Sequence, residues 1–226
     1  MCSSDLVGAV AVAESRPDVI YIGTGSACIR GNVSVGRGAW RSDDRGETWD
    51  FIGLPASGAI GEMAVHPDDP DLVYAAALGN PFGRNEERGV YRSRDGGQSW
   101  DNVLFLNDST GAVSIVMNPA NPDELFAGMW RAERKPWTLI SGSEESGIYR
   151  TRDGGQHWEN LGLKESEHIG MIAIDPRDSD VVYVAAQGPL WRSGGDRGLY
   201  KTVDGGCNWT RVLHISDDTG VNEVHV

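Results

Sequence analysis

Four aspartates recur in similar eight-residue stretches of this chain of 226 residues, and their spacing is the first feature that suggests chemistry. The stretches read SDDRGETW, SRDGGQSW, TRDGGQHW and TVDGGCNW, and they contain Asp44, Asp95, Asp153 and Asp204. Carboxylates at fixed positions can transfer protons in catalysis or bind calcium. Alternatively, each Asp accepts hydrogen bonds from the backbone of its own turn, while Gly supplies the positive φ.

The sequence favours the structural interpretation of these stretches. No second carboxylate recurs at a fixed offset, the spacing of a calcium-binding loop is absent, and an active site does not need four copies of one residue. We therefore predict turns in which Ser or Thr bridges to the Asp and the Trp starts the next strand. The residues assigned to them are Ser42, Asp44, Trp49, Ser93, Asp95, Trp100, Thr151, Asp153, Trp158, Thr202, Asp204 and Trp209.

The surrounding sequence repeats with the same period. The aspartates are 51, 58 and 51 residues apart, and each is preceded by a Gly-aromatic strand and by two β-rich runs around a Pro/Asp turn. Moving the chain by 109 residues aligns Ile52–Met117 with Leu161–Val226 with 26 identities in 66 positions. Each period thus predicts four strands, which we name A to D in chain order.

Repeated four-stranded antiparallel units predict an all-β fold, a β-propeller. We expect about four blades plus the first strand of a fifth, in an incomplete ring, so that the intact chain has further blades or a second propeller. The segment 1–6 is interpreted as a non-native leader, and residues 7–226 as one propeller segment. The expected blades are 7–54, 58–105, 111–163 and 167–213, with a partial blade at 219–226.

Composition excludes several classes of function. A net charge of −13 argues against nucleic-acid binding, and no apolar run is long enough to span a membrane. The three cysteines and five histidines lack metal-ligand spacing. We predict no metal, no cofactor, no nucleic-acid partner and no membrane span.

The loops between strands B and C differ in charge from the rest of the chain. These loops are expected at 27–38, 80–89, 131–146 and 188–197. They carry nine basic and six acidic residues, a net charge of +3, which leaves −16 for the remainder. In an antiparallel blade the B to C and D to A connections lie on one face, and the aspartate turns lie on the other. The sequence therefore predicts a distinct face for ligands.

Basic and aromatic residues are concentrated in these loops, a combination that suits recognition of a carboxylate, a sugar ring or a peptide. Alternatively, Arg and Glu pair within the loops and the aromatic rings fill spaces between blades. The third loop, with WRAERKPW, is the preferred contact surface because long loops in compact folds are often functional. The candidate ligand-binding residues are Arg84, Arg88, Trp130, Arg131, Arg134, Trp137, Trp191 and Arg192.

The pattern Ser/Thr-x-Asp-x-Gly-x-x-Trp resembles the Asp-box, or BNR repeat, of sialidases, xyloglucan-cleaving hydrolases and sortilin-type propellers. Matches extend from about Val7 to Val226, and the whole repeat is most similar to large bacterial sortilin-like or glycosyl-hydrolase-like proteins. The first stretch departs from the pattern because Arg45 stands where the others have Gly, which predicts a looser turn. The resemblance implies the fold, with ligands on the B to C face, and says little about chemistry.

Two functions follow from the resemblance. Sialidases carry an early Arg-Ile-Pro signature, which is absent here, and xyloglucan-cleaving relatives place one aspartate on each of two facing propellers. The leading hypothesis is a non-catalytic, secreted or periplasmic bacterial propeller segment that binds a peptide, protein or carbohydrate. The alternative is part of a glycoside hydrolase, sialidase-like or xyloglucan-cleaving, with catalytic carboxylates partly outside this sequence. No catalytic residue is assigned.

Overall fold

Strands dominate the computed structural model, which describes residues 6–29 and 33–226. Residues 1–5 of the proposed leader and residues 30–32 of the first B to C loop lie outside the described residues. In the described part of the chain the one helix is the 3-10 turn Lys164–Ser166, and no helix there is long and apolar enough to cross a membrane.

Each sheet is antiparallel and uses strands that follow one another in the chain, as the fourfold repeat predicts. The first sheet has the order β1 (Val7–Val12), β2 (Ile20–Thr24), β3 (Ala39–Ser42) and β4 (Asp50–Gly53), and the second has β5 (Ile60–Val65), β6 (Val73–Ala77), β7 (Gly89–Ser93) and β8 (Asp101–Leu104).

The second half of the chain has the same strand sequence with one addition. It contains β9 (Thr110–Met117), β10 (Leu125–Lys135), β11 (Thr138–Ser141), β12 (Gly147–Thr151) and β13 (Glu159–Gly162), and then β14 (Ile169–Asp175), β15 (Asp178–Ala186), β16 (Gly198–Thr202) and β17 (Thr210–Leu213). The order in the third sheet includes β10-β12-β13, and the fourth sheet is β14-β15-β16-β17. Four-stranded antiparallel sheets in chain order are the blades of an incomplete β-propeller.

The described residues form two compact units, one within Met1–Ile115 with Ala132–Ile140, and one within Val116–Arg131 with Ser141–Val226. In the first unit, Tyr21 of β2 packs in one apolar core with Ile60 and Val73 of the second sheet. In the second unit, Phe126 and Ile148 share a core with residues of β14 and β15. Because sheets bury both faces in this way, β6 and β7 are buried along their whole length, and β6 consists of apolar residues and one tyrosine.

The aspartate turns also join neighbouring sheets within each unit. The indole Nε1 of Trp100 donates to the Ile52 carbonyl of the preceding sheet at 2.7 Å, and Trp209 donates to the Leu161 carbonyl at 3.0 Å. In the first unit, Arg41 of β3 reaches forward to the carbonyl of Gly96 at 3.3 Å. These contacts place the turns at sheet-to-sheet junctions.

Two regions differ from the sequence prediction. Residues 219–226 form no strand. The Val221 N–H donates to the Ala186 carbonyl at 3.0 Å, and no β-ladder continues from this hydrogen bond. The third B to C connection, expected as one loop at 131–146, contains a hairpin in which β11 pairs with the extended β10. Its turn lies at Pro136 and Trp137, and the Trp137 side chain is 81% exposed.

Arg45 adopts the left-handed conformation that Gly supplies in the other three turns, with φ +65°. The expectation of a looser turn is wrong, since the Gly46 N–H still donates to Ser42 Oγ at 2.7 Å, the distance found for Gly97 and Ser93. The Arg45 side chain forms an ion pair with Asp18.

Replacing Arg45 with glycine is expected to raise the melting temperature by about 2 to 4 °C. Glycine removes the cost of the left-handed conformation, whereas an exposed ion pair such as Arg45–Asp18 contributes little. Differential scanning calorimetry of the variant tests this, with Asp18→Ala as the control for the ion pair. A lower melting temperature for Arg45→Gly alone would show that the pair outweighs the backbone conformation.

Candidate functional site

The aspartate turns use their own polar groups. In the second turn, Ser93 Oγ donates to Asp95 Oδ1 at 2.8 Å and accepts from the Gly97 N–H at 2.7 Å, while the Ser99 N–H donates to Asp95 at 2.9 Å. The other turns repeat this arrangement around Asp44, Asp153 and Asp204. Each carboxylate is therefore occupied by its local turn.

The hydrogen bonds in these turns favour the ionised carboxylates. The side-chain hydroxyl of Ser99, followed by its backbone N–H, lowers the pKa of Asp95 from 3.8 to about 2. Thr48 makes the corresponding bonds to Asp44, whose pKa is also about 2. Carboxylates that stay ionised to such low pH are poor proton donors at neutral pH, which agrees with a role in holding the turn.

The stability of the protein is expected to fall as the pH drops from about 4 to about 2. The folded-state pKa values of Asp44, Asp95 and Asp204 are about 2, below the ordinary 3.8. Their stabilising effect is therefore present above the unfolded pKa and disappears as pH falls through the folded pKa. Thermal melts between pH 5 and pH 2 test this, with Asp95→Asn flattening the dependence. A constant melting temperature across this range would contradict it.

The eight predicted ligand-binding residues fall into buried and accessible groups. Trp137 and Trp191 are 81% and 68% exposed, respectively, and the Arg84 and Arg192 side chains are 60% and 49% exposed. Arg131 and Arg134 are intermediate in exposure. Arg88 and Trp130 are buried, at 0% and 3%. The accessible members can meet a ligand in the described structure, whereas these two side chains contact the protein interior.

Arg88 organises its own loop. Its guanidinium donates to the carbonyls of Leu78 at 2.6 Å, Asn80 at 2.7 Å, Gly83 at 2.9 Å and Ser109 at 3.2 Å. Burial lowers its pKa to about 10, which still leaves it charged at neutral pH. The structure therefore gives Arg88 a role in shaping the 80–89 loop.

Trp130 also has interior partners, all within the second unit. Its indole ring stacks on the imidazole of His168 with centroids 3.9 Å apart and an interplanar angle of 4°, and its Nε1 donates to Ser141 Oγ at 3.0 Å. Burial lowers the pKa of His168 to about 4, so the imidazole is neutral at pH 7. This pair anchors the end of the D to A connection, 163–168, where His168 precedes β14.

The B to C loop at 188–197 borders two neighbouring clefts of the second unit, and the D to A connection 163–168 lines one of them. One cleft, of about 420 Å³, is lined by Gly142, Ser143, Glu144, Lys164, Glu165, Glu167 and Arg192. The other, of about 530 Å³, is lined by residues 187–193 with Arg197 and Asp218. Arg192 borders both clefts. We call these two volumes together the Arg192 cleft.

Carboxylates of the D to A connection surround Arg192. Its Nη2 lies 2.7 Å from Glu165 Oε2 and 3.5 Å from Glu167 Oε1. Burial raises the pKa of Glu167, and the nearby Arg192 opposes that rise. Burial likewise raises the pKa of Asp196, which accepts a hydrogen bond from the Glu165 N–H at 3.1 Å. The cleft thus combines the exposed cations Lys164 and Arg192 with the carboxyl groups of Glu144, Glu165 and Glu167.

This arrangement suits a ligand that has many hydroxyl groups. The exposed Trp191 ring offers an apolar face beside the cleft, and aromatic faces pack well against apolar ligand surfaces. Arg192 and the carboxylates supply donors and acceptors for polar groups. A concave surface with an aromatic face and a few converging polar groups is typical of a small-molecule or sugar site.

Sequence reasoning found the loop with Trp191 and Arg192 but missed Glu165 and Glu167. These two carboxylates lie in the D to A connection, and only the B to C loops were searched for candidates. Leu163 and Glu167 have positive φ values of 53° and 60°, so the connection curves sharply around the 3-10 turn. Nothing in the local sequence predicts that curvature. That the B to C loops and the D to A connections lie on one face of the propeller was predictable.

No group of three or more His, Cys, Asp or Glu residues that could hold a metal ion occurs in the described ranges 6–29 and 33–226. The cysteines described in the structure, Cys28 and Cys207, are exposed and free.

Comparisons with known proteins give a family and several relatives. A family model described as Sortilin-Vps10, "Sortilin, neurotensin receptor 3", matches residues 88–219. A xyloglucanase from Paenibacillus sp is 25% identical over 240 residues, covering 96% of this chain and 22% of the relative. An oligoxyloglucan-reducing end-specific xyloglucanase from Emericella nidulans is 27% identical, covering 76% of this chain and 20% of the relative.

Solved structures agree on the fold. An ancestral GH74 enzyme superposes with a TM-score of 0.68 at 19% identity, covering 94% of this chain and 25% of that chain. The GH74 xyloglucanase from Xanthomonas campestris superposes with a TM-score of 0.67 at 17% identity, covering 90% and 29%. The chain spans about a fifth of the length of the curated relatives named above.

Proposed function

The chain belongs to the Sortilin-Vps10 family, and we propose that it is a propeller segment of a glycoside hydrolase that acts on xyloglucan-like glycans outside the cell. The observation that carries this proposal is the similarity to a xyloglucanase across 96% of the chain. The GH74 enzymes among the similar structures support the same fold. This reverses the order of the two hypotheses drawn from the sequence, in which non-catalytic binding came first.

The Arg192 cleft is the proposed glycan contact within this chain. Trp191 would stack on a sugar ring, and Arg192 with Glu165 would exchange hydrogen bonds with ring hydroxyls. Sugars present both apolar C–H faces and dense hydroxyl groups, and the cleft offers a partner for each. Carbohydrate is therefore the ligand class that we propose over a peptide or protein.

Glycosidic cleavage requires two carboxyl groups that flank the scissile bond, one that donates a proton and one that acts as the carboxylate. A proton donor works best when its pKa lies above the ordinary carboxyl value. Glu167 meets that condition because burial raises its pKa. It is the first carboxyl group of this chain to test as a donor, and the second carboxylate is left unassigned.

Two measurements test the proposed function. Isothermal titration of the chain with xyloglucan oligosaccharides is expected to show binding, with unbranched cello-oligosaccharides as the specificity control and a peptide array as the rival ligand class. Hydrolysis is tested by measuring the reducing ends that are released from xyloglucan. The protein used includes any sequence that adjoins these 226 residues, and Glu167→Gln is expected to reduce the release. Peptide binding without glycan binding would overturn the proposal.

A further inference from the structure

Arg197 lies at the end of the loop that carries Trp191 and Arg192, and its side chain points back into that loop. We propose that Arg197 is a positioning residue, which holds the 188–197 loop in the shape that presents Trp191 and Arg192 to the glycan. This inference rests on the proposed function for the identity of the ligand. The fixing of the loop itself stands on the geometry alone.

The Arg197 guanidinium bonds to the loop at several points. Nη1 donates to the Gln187 carbonyl at 2.9 Å, Nη2 donates to the carbonyls of Pro189 and Arg192, the latter at 2.9 Å, and Nε donates to the Gly194 carbonyl at 3.2 Å. One side chain thus contacts the start, the middle and the end of the loop. The bond to the Arg192 carbonyl fixes the backbone beside both proposed contact residues.

Burial shows that this contact is internal. Arg197 is 9% exposed, and its guanidinium bonds are to backbone carbonyls. Burying a charged group costs free energy unless hydrogen bonds compensate, so the loop must supply carbonyls in a defined arrangement. Arginine can satisfy several such carbonyls because its five N–H donors form a rigid planar fork.

The same device occurs 109 residues earlier, which shows that it belongs to the repeat. Arg88 donates to carbonyls ten, eight and five residues before it, and Arg197 donates to carbonyls at the same three offsets. The loop residues that precede each arginine, 80–87 and 189–196, differ in sequence. The arginine that holds the loop is therefore the same in both repeats, while the residues that the loop exposes vary.

A glycine makes room for each clamp. A Cβ added to Gly188 would lie 2.0 Å from Arg197 Cγ, and one added to Gly79 would lie 2.3 Å from Arg88 Cγ. Both glycines also have positive φ values, of 80° and 91°. The sequence signature of the device is therefore a Gly followed nine residues later by Arg-Gly.

The test is Arg197→Lys, because lysine keeps the charge but cannot reproduce the fork. We expect hydrogen exchange of amides in 188–197 to become about tenfold faster and xyloglucan oligosaccharide affinity to fall about tenfold, at nearly unchanged global stability. Arg88→Lys is the matched control, which should speed exchange only in 79–88 and leave glycan affinity within about twofold.

A second pair of variants protects the test against misfolding. Gly188→Ala should displace Arg197 and reproduce the effects of Arg197→Lys. Gly194→Ala in the same loop has the same φ of +80° but meets no atom within 4 Å, so it carries the backbone cost without the collision and should have smaller effects. Unchanged exchange in Arg197→Lys, or an equal loss of affinity in Arg197→Lys and Arg88→Lys, would overturn the inference. Failure of the unmodified chain to bind xyloglucan would reject the proposed function, while the exchange rates would still decide whether Arg197 fixes the loop.

Discussion

Replacing Gly89 with alanine is expected to lower the free energy of unfolding by about 3 kcal/mol or more. Gly89 begins β7 with φ +101°, a conformation that is costly for any residue with a Cβ. An added Cβ would lie 1.8 Å from the carbonyl oxygen of Leu104 on the adjacent strand. Both the backbone strain and the collision act in the folded state alone. Urea unfolding followed by circular dichroism gives the change.

Gly162 provides a control that separates strain from collision. It has φ +97°, but a Cβ added there would meet nothing within 4 Å. Gly162→Ala should therefore cost only the conformational part, about 1 kcal/mol. If Gly89→Ala does not fold while Gly162→Ala does, the expected order of the two stability losses is confirmed. Equal losses for the two variants would show that the contact with Leu104 is unimportant.

The expected loss at Gly89 offers a reason for the glycine that precedes the aromatic residue in strand C of every repeat. A glycine at the first residue of strand C, or just before it in the first sheet, takes φ between +84° and +122°; these residues are Gly38, Gly89, Gly147 and Gly198. At each of them an added Cβ would lie within 2.4 Å of a carbonyl oxygen of strand D. The strands shift register just after this point in β12 and β13, so glycine permits the close approach that the irregularity requires.

Replacing Trp191 with alanine is expected to weaken binding of xyloglucan oligosaccharides by about tenfold or more, since exposed aromatic anchors dominate such contacts. Trp191 is 68% exposed and lines the Arg192 cleft. Its removal should leave thermal stability almost unchanged because little of the side chain is buried. Isothermal titration calorimetry of the variant gives the affinity, and a melting curve excludes unfolding as the cause.

Two other exposed aromatic residues complete that experiment. Phe51 is 48% exposed and lines a cavity beside Gly96, among residues of the aspartate-turn side. Phe51→Ala should leave glycan affinity unchanged. Trp137 at the hairpin turn tests the loop that the sequence favoured. A larger loss from Trp137→Ala than from Trp191→Ala would move the proposed contact to the hairpin.

The sheets were predictable because their signal is repeated. Each period carries a Pro/Asp turn, a Gly-aromatic strand and an Asp-Gly turn, and these local features agree with one another four times over. The aspartate turns were equally readable, since the groups that bond to Asp95 lie within four residues of it. Hydrogen bonds between residues so close in the chain can be predicted from the local sequence.

The candidate site was less predictable because it depends on contacts between loops. An arginine in a polar loop reads as an exposed contact residue, yet the carbonyls that bury Arg88 come together only in the folded loop. Glu165 and Glu167 reach Arg192 from another connection, 27 and 25 residues away in the chain. The hairpin at β10 and β11 was missed because residues 131–146 were assigned to one long loop.

Hydrogen exchange of the chain with and without a xyloglucan oligosaccharide shows whether glycan binds at the Arg192 cleft while the aspartate turns serve the fold. We expect slower exchange in 142–144, 163–168 and 188–197, with the turns at 93–100 and 202–209 unchanged. Slower exchange confined to those turns, or none anywhere at saturating glycan, would contradict it.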